Sequence, residues 1–498
     1  MISLSLIRSR KTLRMKMTNN LSKISLSLLA AVSLTGCSTL GGVGDALDGI
    51  NPFSSSEDEG QGEVSEDRIA ILELDETLKV TGKITPDQVT LPPAYVNTDW
   101  PQVGGNPEHV VQHTAASGNL DKVWSKSIGK GSTKKGRIVS SPVIANGQIF
   151  TMDGKNIISS FNEQDGSRLW EYKVSVTERE RTRQGKTGIV DRIRDPLSFT
   201  DRGGRDKESV GGGVAYGAGK LFVSSGLGVI GALDPQTGEE IWKRETRVPM
   251  HSAPTSSGGR VFAVSDDNEL FALDADTGEV LWTYQGIVET ARMLTAPSPA
   301  VVGETVIAPF ASGELVALRV QNGGVLWQDA LSSAGQLTPL ATLNDIAAGP
   351  VIADGYVIAT AQSGVISAFD LRTGQRVWTQ PAGSLGFPLI AGDFVYTVTT
   401  DGVVVCLSKL DGTVVWTQQL QAYKNEKKRK KRVAWAGPIL AGDRLLVMSS
   451  QGKAVVVNPY DGSIINEFKV GDDVFVAPVI ANETVYVLTD SAKLIALR

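Results

Sequence analysis

A glycine followed four residues later by a tryptophan recurs along this chain and constrains its fold more than any other feature. Between Trp242 and Trp378 the successive tryptophans stand 40, 45 and 51 residues apart, and a seventh copy of the motif has Asn466 in place of the tryptophan. Repeats of this length are typical of β-sheet blades arranged around an axis. The six intact copies are Gly166…Trp170, Gly238…Trp242, Gly278…Trp282, Gly323…Trp327, Gly374…Trp378 and Gly412…Trp416.

Each repeat is built from short β-branched or aromatic runs separated by turn residues. In the repeat that opens at Pro350, the turns Asp354-Gly355, Ser363-Gly364 and Thr373-Gly374 separate four such runs, which predicts an antiparallel meander. A ring of such sheets buries their faces and leaves only short edges. Because eight openings occur, we predict an all-β chain that forms an eight-bladed β-propeller of four-stranded antiparallel blades. The openings contain Pro142, Gly211-Gly212-Gly213, Pro254, Pro299, Pro350, Pro388, Pro438 and Pro478.

The two ends of the repeat region complement each other. After the last opening only the apolar runs 485–488 and 494–497 follow, so one strand is missing there. Near the start, residues 120–125 read as a fourth strand that contains Trp124 and has no strands before it. We therefore predict that pairing of the N- and C-terminal strands closes a propeller spanning residues 99–498.

The N-terminal residues have the pattern of an export signal. Six basic residues precede an apolar run at 24–34, which is too short to span a bilayer as a mature helix. Leu34-Thr35-Gly36-Cys37 resembles the lipobox of bacterial lipoproteins, in which the signal peptide, here residues 1–36, is removed and the cysteine is acylated. Ser38 follows where an aspartate often signals inner-membrane retention, so the resemblance implies a lipid anchor in the outer membrane, facing the periplasm. Residues 37–98 are predicted to be a lipidated flexible tether.

Charge and composition exclude several classes of function. The formal net charge of −5 argues against nucleic acid as the main partner. With Cys37 acylated, no disulfide framework is available, and the apolar neighbours of Cys406 predict a buried strand thiol. The three histidines are too few for most metal or acid–base sites, and we expect surface or capping roles for His109 and His113.

The tryptophans are predicted to pack between neighbouring blades. Their pattern resembles the docking motif of the quinoprotein dehydrogenases, an eight-bladed family that binds pyrroloquinoline quinone and calcium on the propeller axis. That family commonly carries adjacent disulfide-bonded cysteines over the cofactor, which this sequence lacks, so we expect no catalytic residues, no cofactor and no metal. A periplasmic quinoprotein oxidoreductase or a ligand-binding propeller stays open as the alternative. The predicted docking residues are Trp124, Trp170, Trp242, Trp282, Trp327, Trp378 and Trp416.

Two charged insertions interrupt the repeats. The first, at 177–209, is dense in both acidic and basic residues, and the second, at 424–432, contains the run Lys427-Lys428-Arg429-Lys430-Lys431-Arg432. In an exported protein, such a basic run fits an anionic lipid or an acidic protein. A solvated loop without a partner is the alternative.

A lipobox, a tether and an eight-bladed propeller together resemble the BamB family, lipoproteins of the outer-membrane β-barrel assembly machine. Asn97-Thr98-Asp99-Trp100-Pro101-Gln102 and Gly104-Gly105-Asn106-Pro107 look most like longer members of that family. The resemblance implies a non-catalytic scaffold that binds the periplasmic domains of BamA and other subunits, and that helps to deliver unfolded outer-membrane proteins. It implies no nucleic-acid partner.

The same resemblance implies where the partner binds. The contact loops of the family correspond to the loops before Pro297 and Pro350. They place Arg292, with Met293 and Leu294 beside it, and Asp345 in the partner interface. Ala291 and Ala347 stand where the family has a leucine and an acidic residue, so the interface differs in part.

Overall fold

Eight antiparallel sheets make up the protein. The computed structural model describes residues 78–176, 209–246, 248–250, 252–288, 297–331 and 345–498. Within these ranges regular structure is strand, apart from one 3-10 helix at Pro86–Gln88, and no helix is long and apolar enough to cross a membrane. The predicted signal peptide, the lipidation site and nearly all of the first charged insertion lie outside these ranges, as do His251, Arg292, Met293 and Leu294.

The predicted propeller is confirmed, with four strands in every blade. The first strands of successive blades contact one another around the axis, so each blade runs from the axis outward. The strands of blades 1 to 4 are β2 (Val143–Ala145), β3 (Gln148–Met152), β4 (Ile157–Asn162), β5 (Arg168–Lys173); β6 (Gly212–Gly217), β7 (Lys220–Ser225), β8 (Val229–Leu233), β9 (Glu240–Glu245); β10 (Thr255–Ser257), β11 (Arg260–Val264), β12 (Glu269–Asp274), β13 (Val280–Gln285); β14 (Ala300–Val302), β15 (Thr305–Pro309), β16 (Glu314–Arg319) and β17 (Val325–Ala330).

Blades 5 to 8 repeat the same order, and a two-stranded hairpin stands between blades 6 and 7. Their strands are β18 (Val351–Ala353), β19 (Tyr356–Thr360), β20 (Ile366–Asp370), β21 (Arg376–Gln380); β22 (Leu389–Ala391), β23 (Phe394–Val398), β24 (Val403–Ser408), β25 (Val414–Gln419); the hairpin β26 (Tyr423–Asn425), β27 (Lys430–Arg432); β28 (Trp435–Leu440), β29 (Leu445–Ser449), β30 (Lys453–Val457), β31 (Ile464–Lys469); β32 (Val479–Ala481), β33 (Thr484–Leu488), β34 (Lys493–Leu497) and β1 (Lys122–Ser127).

The ring closes where the two ends of the propeller meet. Strand β1 pairs antiparallel with β34 and becomes the outermost strand of blade 8. Asp121 and Arg498 exchange backbone hydrogen bonds of 2.8 and 2.9 Å beside this ladder. The predicted closure by the N- and C-terminal strands is therefore confirmed.

The hydrophobic core lies between blades rather than in one centre. One apolar cluster joins blades 4 and 5, a second joins blades 5 and 6, and a third joins blades 6 and 7. The outermost strands contribute mainly their tryptophans to these clusters. Each blade consequently depends on its neighbours to keep its faces out of water.

The meander gives the ring two different faces. One face, which we call the turn face, carries the turns between the first and second and between the third and fourth strands of each blade. The other, the loop face, carries the turns between the second and third strands and the connections from each fourth strand to the next blade. The hairpin β26–β27 belongs to such a connection, between blades 6 and 7, and therefore lies on the loop face.

The N-terminal segment differs from the expected flexible tether in its last part. Val89 is buried against the cluster of blades 6 and 7, and Ile84 and Leu91 pack beside it. Lys83 forms an ion pair with Asp411 of blade 6. Residues 78–98 therefore lie against the propeller, because their few apolar side chains find a groove between blades that local composition does not reveal.

Candidate functional site

The loop face carries exposed apolar side chains in its inter-blade connections. Ile287 and Val288 are 59% and 58% exposed, Phe475 is 50% exposed, and Leu385 is 36% exposed. The Ile287 N–H donates a hydrogen bond of 2.7 Å to the Glu314 carboxylate, which holds this connection to blade 4. Apolar groups exposed on a rigid frame are typical of a protein–protein interface.

The sequence interpretation missed these four residues. A local signal exists, since Ile287 and Val288 follow Gly286 after strand β13 has ended and precede the proline that opens blade 4. An apolar pair in that position lies outside any strand and therefore has no sheet face to cover it. Such a pair predicts a contact surface once the strands have been placed.

Of the predicted partner residues, the structure describes only Asp345. Arg292, Met293 and Leu294 lie between Val288 and Pro297, outside the described residues. Asp345 is described, and its side chain is only 2% exposed. Its carbonyl oxygen accepts a hydrogen bond of 2.9 Å from the Gln362 N–H. Asp345 thus stands at the base of its loop and is covered in this chain.

The tryptophans of the repeat lie against the glycine turn of the next blade. A Cβ placed on that glycine would come within 2.5 to 2.9 Å of a tryptophan ring atom at all seven contacts. Six of the indole N–H groups also donate a hydrogen bond to a backbone carbonyl in the same turn or beside it. The pairs are Trp124 with Gly166, Trp170 with Gly238, Trp242 with Gly278, Trp282 with Gly323, Trp327 with Gly374, Trp378 with Gly412, and Trp416 with Gly462.

The repeat that lacks tryptophan has a structural explanation. Asn466 lies on the outermost strand of blade 7, and the next blade is blade 8. In blade 8 no single turn connects the third and fourth strands, because β34 and β1 are not consecutive in the chain. Blade 8 therefore lacks the continuous third-to-fourth-strand turn against which the other tryptophans pack.

A segment before β1 runs around the axis and contacts every blade. Most of its contacts are hydrogen bonds to the backbone of first strands, and blade 6 is reached through the ring of Phe387. In chain order, Asn97 reaches blade 8, Trp100 blade 1, Pro101 blade 2, Gln102 blade 3, Pro107 blade 4, Glu108 blade 5, His109 blades 5 and 6, and Thr114 blade 7.

His109 and His113 belong to this axial segment and are not surface residues. Both are 4% exposed, so the expected surface or capping role is wrong. The Nδ1–H of His109 donates to the Pro350 carbonyl at 2.7 Å, which leaves Nε2 unprotonated in the neutral ring. Burial lowers the pKa of His109 to about 4, because the charged ring would lose its hydration. The histidine acts here as a neutral packing residue beside Phe387.

A cavity of about 250 Å³ lies on the axis and is reached from the loop face. Its lining is mostly apolar and includes Leu385, Phe387, Trp435 and Phe475. In the described part of the chain, no three His, Cys, Asp or Glu side chains are grouped so that they could hold a metal ion. Calcium needs six to eight oxygen ligands. The lining therefore does not fit a calcium-bound quinone.

The fold and its faces define a class of protein, an eight-bladed propeller of the quinoprotein-like type whose blades are joined by tryptophan–glycine contacts. A sequence model for one family of this class, described as outer membrane protein assembly factor BamB, matches residues 88–205, 198–418 and 400–498. The chain belongs to the BamB family.

Individual relatives agree with this assignment. The BamB of Yersinia pestis is 25% identical over 378 residues, which cover 75% of this chain and 88% of that protein. The BamB of Escherichia coli K12 is 30% identical over 264 residues, which cover 53% of this chain and 61% of that protein.

Solved structures show the same fold. The BamB of Moraxella catarrhalis superposes with a TM-score of 0.56 at 19% identity, covering 76% of this chain and 98% of that one. A europium-containing methanol dehydrogenase superposes with a TM-score of 0.58 at 14% identity, covering 80% and 89%. At these identities the structural likeness establishes the fold alone.

Proposed function

We propose that this protein is a non-catalytic scaffold lipoprotein of the outer-membrane β-barrel assembly machine. It is anchored in the outer membrane through Cys37 and faces the periplasm. It binds the periplasmic domains of BamA and assists the insertion of unfolded β-barrel proteins. Membership of the BamB family supports a role in the assembly of outer-membrane proteins. The exposed apolar residues of the loop face support binding of BamA through that face.

The observation that carries the proposal is the presence of exposed apolar side chains in three inter-blade connections of one face. Ile287 and Val288 lead into the segment that contains Arg292, so apolar and charged contacts would occur side by side. An arginine bonded to a partner carboxylate or carbonyl gains strength when apolar neighbours exclude water. Met293 and Leu294 would add to that apolar rim.

Asp345 has a different part in this proposal. Because its side chain is covered, it acts as a positioning residue at the base of the second contact loop rather than as the contact itself. The contact would then come from the loop that it supports. Replacement of Asp345 is expected to weaken partner binding through the loop conformation, with some loss of stability.

The test is an affinity pull-down of the lipidated protein from detergent-solubilised envelopes. We expect the wild type to recover BamA, and Arg292→Ala to weaken binding by about 30-fold, as for an interface hot spot. The double replacement Ile287→Ser with Val288→Ser should act in the same direction.

The matched control is Ile464→Ser with Ile465→Ser, which removes two exposed apolar side chains from the outermost strand of blade 7. It should recover BamA as well as the wild type does. Equal recovery of BamA by all variants would show that the interface lies elsewhere on the protein. Absence of BamA from the wild-type sample, together with uptake of quinone and calcium, would favour the quinoprotein alternative.

A further inference from the structure

The hairpin β26–β27 carries the strongest local charge of the described residues. Between residues 424 and 432 there are seven basic side chains and one acidic side chain, and all of these residues are exposed. This density contrasts with the net charge of −5 for the whole chain. The hairpin therefore presents a compact cationic tip on a protein that is acidic overall.

The hairpin is a folded element with an anchored base. Its strands pair Tyr423 with Arg432, and Val433, just beyond them, is buried and donates its N–H to the Ala422 carbonyl at 2.8 Å. Arg432 forms an ion pair with Asp401 in the second-to-third-strand turn of blade 6. The base is thereby fixed to the loop face.

The turn uses its own polar groups and leaves the lysines free for other contacts. Glu426 accepts hydrogen bonds of 3.0 Å from the Ala422 and Tyr423 N–H groups, so its carboxylate is already engaged. Arg429 stacks over the Tyr423 ring at 5.5 Å. Among the described residues, no ion pair involves the lysines of the hairpin. Those lysines are Lys424, Lys427, Lys428, Lys430 and Lys431.

The chain that leads from the proposed anchor reaches the ring beside blade 6, at the turn face where Asp411 lies, whereas the hairpin lies on the loop face of the same part of the ring. Leu78 packs against the cluster of blades 5 and 6, and Lys83 pairs with Asp411 of blade 6. The hairpin connects blade 6 to blade 7. The 41 residue steps from Cys37 to Leu78 span at most about 140 Å. Such a length keeps the propeller near the membrane but does not orient it.

We infer that the basic hairpin is a second membrane contact, which binds the anionic phospholipid headgroups of the leaflet that holds the lipid anchor. This inference rests on the proposed lipidation of Cys37. Each lysine or arginine near an anionic surface contributes about a fivefold increase in the bound population. Four or more lysines at the tip of the hairpin would therefore orient the propeller so that blades 6 and 7 face the membrane.

The experiment measures the distance from the hairpin to the lipid by energy transfer. The full lipidated chain carries Lys424→Cys with a donor dye, and headgroup-labelled lipid is the acceptor. Cys406 does not compete for the dye, because it is fully buried and burial raises the pKa of its thiol. The vesicles contain phosphatidylcholine alone or mixed with phosphatidylglycerol, and flotation checks that the protein is bound.

We expect transfer to rise when phosphatidylglycerol is present and to fall again when salt is raised. Replacement of the four tip lysines by glutamine should abolish the rise. The matched control replaces four exposed lysines of blades 8 and 1 and leaves the same net charge, so it should behave as the wild type. The tip set is Lys427, Lys428, Lys430 and Lys431, and the control set is Lys122, Lys126, Lys155 and Lys173.

The outcomes separate this inference from the proposed function. Floating protein with equal transfer on both kinds of vesicle would overturn the membrane contact, leave the lipid anchor intact and assign the hairpin to an acidic protein. Equal loss of transfer in both lysine sets would also overturn it, because net charge alone would then explain the binding. Protein that fails to float with either kind of vesicle would overturn both the anchor and the hairpin contact.

Discussion

Gly278 shows at the scale of one residue why the tryptophan repeat needs glycine. Its backbone has φ of +69°, a region that other residues enter at a cost, and a Cβ there would lie 2.5 Å from the Trp242 ring. Two independent constraints therefore coincide at one position. The pattern of glycine and tryptophan in the sequence records a contact between different blades.

The two constraints can be separated by a pair of substitutions. Gly219→Ala meets the same backbone cost, with φ of +72°, but has no atom within 4 Å of the new Cβ, and it should destabilise the protein by about 1 kcal/mol. Gly278→Ala adds the clash with Trp242, so we expect a loss of about 3 kcal/mol. Urea denaturation measures both, and equal losses would show that the indole contact contributes nothing.

His109 makes the stability of the axial segment depend on pH. The unfolded chain takes up a proton near pH 6.5, whereas the folded chain does so only near pH 4. Between these values the unfolded state binds more protons, so the free energy of unfolding falls as the pH is lowered through this window. The loss should reach about 3 kcal/mol at the acidic end.

Chemical denaturation at neutral pH and near pH 4 tests this dependence. His109→Gln removes the titrating group, so its own loss between the two pH values should be smaller than that of the wild type by about the same 3 kcal/mol. The other titrating groups contribute equally to the loss in both proteins, so their contribution cancels when the two losses are compared. Identical losses in the two proteins would show that His109 is hydrated in the folded state.

At the scale of the element, the outermost strands carry an irregularity in each of the eight blades. The register of the third and fourth strands shifts beside the motif, as between Ala272 and Leu273 opposite Trp282 and Val280. Leu281 is the extra residue there and is exposed. Such a bulge twists an edge strand and discourages pairing with other chains. The sequence did not predict this bulge, because one inserted residue does not alter the pattern of a short apolar run.

Strand β1 is the element on which ring closure depends. Ile128 donates its N–H to the Ala492 carbonyl, and since such bonds alternate along an antiparallel ladder, the Lys126 N–H also points toward β34. Lys126→Pro should therefore break the ladder and lower the unfolding midpoint of the whole protein. Ser125→Pro is the matched control, because its N–H points away from β34.

Hydrogen exchange distinguishes a local effect from a general one. With Lys126→Pro we expect reduced protection in β34 and also in β16 of blade 4, because every blade relies on its neighbours for its core. Loss of protection confined to β32, β33 and β34 would show that the ring remains folded when it is open.

At the scale of the whole molecule, the sequence predicts the ring well and the axial segment poorly. Repeats such as Thr277-Gly278…Trp282 are local patterns, and the eight blade openings define the number of blades. The axial segment makes most of its contacts with backbone groups of the first strands, as where the Val301 N–H donates to the Pro107 carbonyl, and those backbone groups leave no residue signature. The burial of His109 and the exposure of Ile287 share this origin, because both depend on which distant strand lies alongside.

The axial segment distinguishes the eight similar blades from one another. Its residues meet the blades in the order 8, 1, 2, 3, 4, 5, 6 and 7, and each blade receives a different partner. A ring with one blade too few or too many would leave some of these partners unmatched. Similar repeats are prone to pair out of order while they fold. All of the contacts of the axial segment can therefore form together only when the eight blades are present and in the correct order.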